Sequence, residues 1–118
     1  MDSKIEEKAK ELANLIRNSQ DYKNYLLCRE LLKEEPQLYK RVNRFRRDNF
    51  LLQIEGETEK LYDEMGKIQN DFAPVRRDIR VSGFLQYEHH LCMMIQQIEE
   101  LLMEDLDFDV EFLEENYD

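Results

Sequence analysis

Between residues 61 and 102 the apolar positions recur in steps of four and three. They run Leu61, Met65, Ile68, Phe72, Val75, Ile79 and then Phe84, Leu91, Ile95, Ile98, Leu102, with Glu88 standing where the second run needs a member. This spacing keeps side chains on one stripe of an α-helix and suits a neighbouring helix as partner. Arg80-Val81-Ser82-Gly83 alone separates the runs, too little for anything but a tight reversal or a bent continuation. The pattern predicts a helical hairpin. Pro74 lies inside the first run, and an interior proline costs a straight helix about 3 kcal/mol. Phe72, Val75 and Ile79 nevertheless keep register through it, which predicts a kink and not a stop. The second helix is expected from about Ser82 to about Met103. Its apolar surface also takes in Leu85, Tyr87, Met94 and Leu101, so it should be the central element, with Leu91, Ile95 and Ile98 in the core.

The first half divides the same way. Ile5, Ala9, Leu12 and Ile16 form one stripe over residues 3–17, and Ser3 with Glu6 has capping-box spacing. Ser19 is the natural N-cap of a second helix carrying Tyr22, Tyr25, Leu26, Leu31 and Leu32. Pro36 stops that helix, makes Glu35 the boundary and suits the first turn of a third. The third helix shows Leu38, Val42, Phe45 and Leu52 in four-three steps, with Asn49 in the stripe, and should yield near Gly56. The fold class expected is therefore all-α: about five helices in an antiparallel bundle with a long C-terminal hairpin.

After residue 103 the period changes to two. Leu106, Phe108, Val110 and Phe112 alternate with Asp105, Asp107, Asp109 and Glu111, the repeat of an extended strand. Such a piece is not stable alone: it is either a disordered tail or a segment docked through its apolar row. The expected division is a helical domain over 1–103 and an acidic-hydrophobic tail over 104–118.

Charge sharpens that division. The formal charge is −10 over 118 residues, but 104–118 holds eight acids and no base, leaving the first 103 residues at only −2. Net charge thus does not exclude a nucleic-acid role. Three glycines and two prolines favour helix almost throughout. No hydrophobic run resembles a signal peptide or a membrane span. Cys28 and Cys92, each among apolar neighbours, are expected as buried free thiols of a reducing cytosol, and a cytoplasmic location follows.

Three clusters invite chemistry. His89, His90 and Cys92 resemble part of a zinc site, but a structural site needs four ligands and no second pair exists; no metal is expected unless symmetry between subunits supplies it. Glu88 on the apolar seam would be costly if buried alone, so it is expected to pair with an arginine from the third or fourth helix and to specify packing. Lys40, Arg41, Arg44, Arg46 and Arg47, with Arg76, Arg77 and Arg80, could hold phosphates, Arg44, Arg47 and Arg76 being the alternative nucleic-acid contacts. Helical spacing scatters them, and no aromatic interleaving marks a single-strand platform, so solvated or salt-paired faces are the preferred reading. No Gly-rich phosphate loop, nucleophile elbow or HExxH helix is present. No catalytic residue and no cofactor are expected.

With the helices placed, the chain resembles the YlbF/YmcA (Com_YlbF) family of small all-helical bacterial proteins over about residues 5–103. The resemblance rests on Ala9-x-Glu11-Leu12-Ala13-x-x-Ile16-x-x-Ser19-x-Asp21-Tyr22-x-x-Tyr25, on Glu35-Pro36-Gln37-Leu38, Phe45 and Gly56, and on Val81-x-x-Phe84-Leu85-x-Tyr87-Glu88-x-x-Leu91. It implies a cytoplasmic regulatory protein, not an enzyme, that forms a homo-oligomer or mixed complexes with related chains. Relatives are linked to competence, sporulation and biofilm formation and to a complex that modulates RNase Y-dependent mRNA processing. Some family complexes hold iron-sulfur clusters through cysteines. With only Cys28 and Cys92 here and none in the C-terminal segment, that property does not carry over. The expected function is a self-associating adaptor of a larger assembly, with Leu61, Met65, Ile68 and Phe72 as the candidate protein interface; direct nucleic-acid binding is the alternative.

Overall fold

The computed structural model describes residues 1–55 and 59–114, with the side chains of 55 and 59–61 excepted. Five α-helices account for almost all of it: α1 (Ser3–Arg17), α2 (Gln20–Lys33), α3 (Pro36–Glu55), α4 (Glu59–Arg76) and α5 (Ile79–Asp105), followed by a single 3-10 turn, Glu111–Leu113. No strand occurs among the described residues.

Local chemistry sets the boundaries. Asp2, one residue earlier than the expected Ser3, caps α1: its carboxylate accepts from the Lys4 N–H at 2.8 Å. The Ser19 hydroxyl accepts from the Tyr22 N–H at 3.3 Å and starts α2. Pro36 opens α3, where its missing N–H costs nothing. The expected end near Gly56 lies outside the described residues.

The reversal between the last two helices is not where the seams place it. α4 ends at Arg76, two residues past Pro74, and Arg77–Asp78 make the turn. The Asp78 N–H reaches the Val75 carbonyl at 3.1 Å, and the Asp78 carboxylate then accepts from the Arg80 N–H at 2.9 Å as the N-cap of α5. A cap that satisfies free N–H groups outweighs the apolar register through the proline. Ile79 consequently belongs to α5, not to the first seam, and is 84% exposed. Ser82, the expected start, lies inside the helix.

The helices meet at one junction. α2 runs antiparallel to the first half of α5, with Tyr25 stacked on Phe84 at 5.4 Å and the Cα of Gly83 so close to Cys28 that an added methyl would touch its sulfur at 3.5 Å. α3 and α4 form the second antiparallel pair, joined by parallel rings of Phe45 and Phe72 at 3.8 Å. Leu32, Val42, Phe45, Phe72, Val75, Val81 and Phe84 form the shared core, with Tyr25, Cys28, Leu38, Ile68 and Leu85 packed around it.

Away from that junction packing stops. α1 touches α2 and buries none of its residues. Leu91 is buried, but Ile95, expected in the core, is 49% exposed, and Leu101, Leu102 and Met103 are open. The tail is likewise exposed at Leu106, Phe108, Val110, Phe112 and Leu113; it takes a 3-10 turn in place of a strand, because no edge accepts its backbone. The molecule measures 46 × 45 × 19 Å, and 19 Å is about two helix diameters. Every helix therefore has an open side.

A core this thin should be sensitive. Leu32 is 1% exposed, and Leu32→Ala should lower the unfolding free energy by about 2–5 kcal/mol in urea titration followed by circular dichroism. A loss under about 1 kcal/mol would show that the four-helix junction is not the seat of stability.

Candidate interaction surfaces

Arginines decorate the junction, and most are engaged. Arg80 forks onto Asp78, Nε to Oδ1 at 3.1 Å and Nη2 to Oδ2 at 2.7 Å. Its Nη1 lies 3.5 Å from Glu35 at the α2–α3 corner. One side chain thus ties the two helix corners together beside Leu32 and Val81. The Arg80 hydrogen bonds hold the Asp78 carboxyl down at about 2 against an ordinary 3.8, and the same pairing raises Arg80. Arg76 spreads over the Phe45 and Phe72 rings, 5.3 and 5.6 Å from their centres, and donates to Gln69 Oε1 at 2.8 Å.

Glu88 pairs with Arg46 of α3. Its Oε1 accepts from Nε at 3.3 Å, and Oε2 is 2.6 Å from Nη2 as an ion contact off the hydrogen-bonding direction. The Arg46 guanidinium also lies 5.2 Å from the centre of the Phe84 ring, and its Nη1 donates to Asn43 Oδ1 at 3.0 Å. The carboxylate side chain is 28% exposed, so Glu88 sits at the rim of the core, half-buried.

Two grooves flank α3. On the α4 side an opening of about 270 Å³ is lined by Arg41, Arg44, Asp48, Ile68, Asp71 and Phe72 among others. On the α5 side a wider one of about 730 Å³ has Phe45, Phe50, Leu85 and Cys92 as its apolar lining and Asn43, Arg46, Arg47, Asn49, Gln53 and Glu88 as its polar rim. The alternative nucleic-acid trio is split accordingly. Arg44 lines the first groove and Arg47 the second, while Arg76 lies on the aromatic pair. Phe45 and Phe72 line the first groove as well, so Arg44 and Arg76 stand on one side of α3 with the acids Asp48 and Asp71, and Arg47 stands on the other.

Of the candidate protein interface, Phe72 is buried in the chain's own core and Ile68 packs against it, Met65 is half-buried, and the Leu61 side chain lies outside the described residues. Open apolar side chains lie elsewhere: Ile5, Leu12 and Leu15 on α1, and Ile95, Leu101 and Leu102 on the distal half of α5. The four-three stripe of α1 was visible in the sequence, but a stripe does not say which chain fills it. Cys92 is exposed, unlike the buried thiol expected, because α5 has run past α2 at that point; Cys28 is half-buried, and burial pushes its thiol up. His90 Nδ1 lies 4.0 Å from Asp21. Among the described residues no three His, Cys, Asp or Glu side chains gather as a metal site, and no helix is long and apolar enough to cross a membrane.

A family model described as "Control of competence regulator ComK, YlbF/YmcA" matches residues 5–107. Comparison with curated proteins and with solved structures gave no match.

The Asp78 fork has a pH signature. Because the folded carboxyl is held at about 2, below its ordinary 3.8, its charge stabilises the fold above the unfolded value, and that contribution fades as pH falls through the folded one. Asp78→Asn keeps a capping oxygen and removes the charge. Its deficit against wild type in urea unfolding should be full at neutral pH, shrink below about pH 4 and vanish below about pH 2. A deficit that does not change with pH would contradict the fork's role.

Proposed function

Because the chain belongs to the Com_YlbF (YlbF/YmcA) family, described as controlling the competence regulator ComK, and so has a regulatory role, we propose that it acts as a non-enzymatic adaptor: it self-associates or joins related chains and in that form engages a larger protein assembly. The observation that carries this reading is its surface. The chain exposes 9993 Å², whereas a compact monomer of 14.4 kDa exposes about 6,800 Å². Its radius of gyration is 18.7 Å against about 13.5 Å for a compact domain of this length. A stable interface takes about 800 Å² from each partner. The surplus leaves room for self-association and for a second partner.

The faces proposed for these contacts are the α1 stripe with the distal half of α5, and the distal end of the α3–α4 hairpin. At the latter Phe50, Ile54 and Tyr62 are exposed and Met65 is half-buried. Rigid helices would set the geometry of the assembly, and the basic α3 and acidic tail would supply charge complementarity. The assembly to which the family resemblance points is the one modulating RNase Y-dependent RNA processing, with developmental regulation downstream and the cytoplasm as the compartment.

Affinity capture of the tagged full chain from its native host tests this. Wild type should retain related chains or RNA-processing proteins. Leu12→Glu combined with Leu101→Glu, two exposed positions, should lose them while keeping the wild-type helical circular dichroism. Capture of no protein by wild type would overturn the adaptor reading.

A further inference from the structure

The acidic tail and the basic third helix are chemically matched, but within one chain the tail is too short to fill the groove beside that helix. α3 carries Lys40, Arg41, Arg44, Arg46 and Arg47 against Asp48 and Glu55, which makes it the most basic helix. Leu106–Leu113 carries Asp107, Asp109 and Glu111 with no base, and exposes Leu106, Phe108, Val110 and Phe112. The α3–α5 groove offers what such a segment needs. Its apolar lining includes the exposed ring of Phe50 and half-buried Leu85, and the amides of Asn43, Asn49 and Gln53 can partner an extended backbone. Arg46 is already matched by Glu88, whereas Arg47 is 68% exposed and, among the described residues, pairs with its neighbour Asp48 at 3.7 Å, a contact of little strength.

Length decides which tail can reach. Cys92 closes the α5 side of the groove, and from there the helix continues to Asp105, a run of about 20 Å at 1.5 Å per residue. A chain turning back from Asp105 covers at most about 3.4 Å per residue. Val110 then travels about 17 Å and stops short of Cys92; Phe112, the last of the row, covers about 24 Å, enough to pass Cys92 but not to reach Leu85, about 30 Å back along α5. The apolar row cannot fill its own groove: Leu106, Phe108 and Val110 stay outside it, and no member reaches Leu85.

We propose that Leu106–Leu113 of one copy lies extended in the α3–α5 groove of a second copy, with its apolar row on Phe45, Phe50 and Leu85 and its acids beside Arg47. This rests on the self-association proposed above and names one contact that makes it. The single 3-10 turn at Glu111–Leu113, held by the Asp109 carboxylate accepting from the Glu111 N–H at 3.2 Å, opens on docking. The two-residue period then serves two surfaces at once, apolar side chains inward and carboxylates toward the rim.

Disulfide trapping in the full chain tests it, with the natural exposed thiol of Cys92 in the groove. Val110→Cys, oxidised with oxidised glutathione, should yield a covalent dimer whose linkage by mass spectrometry is Cys92 to position 110 of the other chain. Cys92→Ser should abolish it, Arg47→Glu should lower the yield about two- to fivefold, and Asp109→Arg should restore it on the Arg47→Glu background. Sedimentation of the same unoxidised samples separates the two readings. An assembly that forms no Cys92 linkage overturns the docked tail and leaves self-association standing; a monomer without the linkage overturns both.

Discussion

The structure depends on one crossing point at which four helices share a small set of side chains. Val42, Val81 and Leu32 are essentially sealed from solvent, and Phe45 with Phe72 and Tyr25 with Phe84 close the space around them. A chain of this length can bury more than it does here. The constraint is geometric: α3 and α4 leave the crossing as one antiparallel arm and α5 leaves it as another, so residues far from the crossing have no partner in the same chain. Apolar faces at the ends of both arms are the direct consequence.

Electrostatics supports this crossing more than it advertises a ligand. Arg80 bridges two helix corners, Arg46 bridges α3 to Glu88 of α5, and Arg76 lies across the aromatic pair. Arginine suits all three places because its planar fork pairs carboxylates and its weakly hydrated face lies well on rings. Three of the eight basic side chains grouped in the sequence therefore serve the fold. Those left toward solvent flank grooves on opposite sides of α3.

Helix starts and stops were legible in the sequence wherever a single residue carries the signal. Ser19 and Pro36 act locally, through a hydroxyl and a missing N–H, and the structure uses both as expected. The last hairpin was harder, because two local signals compete there: the apolar register runs past Pro74 to Ile79, while Asp78 offers a cap, and the cap prevails. Burial was legible only near the crossing. Leu91 and Ile95 are indistinguishable by spacing, yet one faces α2 and the other lies beyond its end. Cys92 was misjudged for the same reason, since neither periodicity nor composition records where a neighbouring helix stops. The open faces of α1 and distal α5 carry an apolar stripe that can be read, but a stripe does not record what covers it.

The central claim is self-association: that the open faces of this chain are covered by further copies of it. Sedimentation equilibrium of the wild-type protein at micromolar concentration measures this without tags or substitutions. The account predicts a mass of twice 14.4 kDa or a higher multiple, falling toward the single-chain value only on dilution. A mass of 14.4 kDa at every concentration would contradict it.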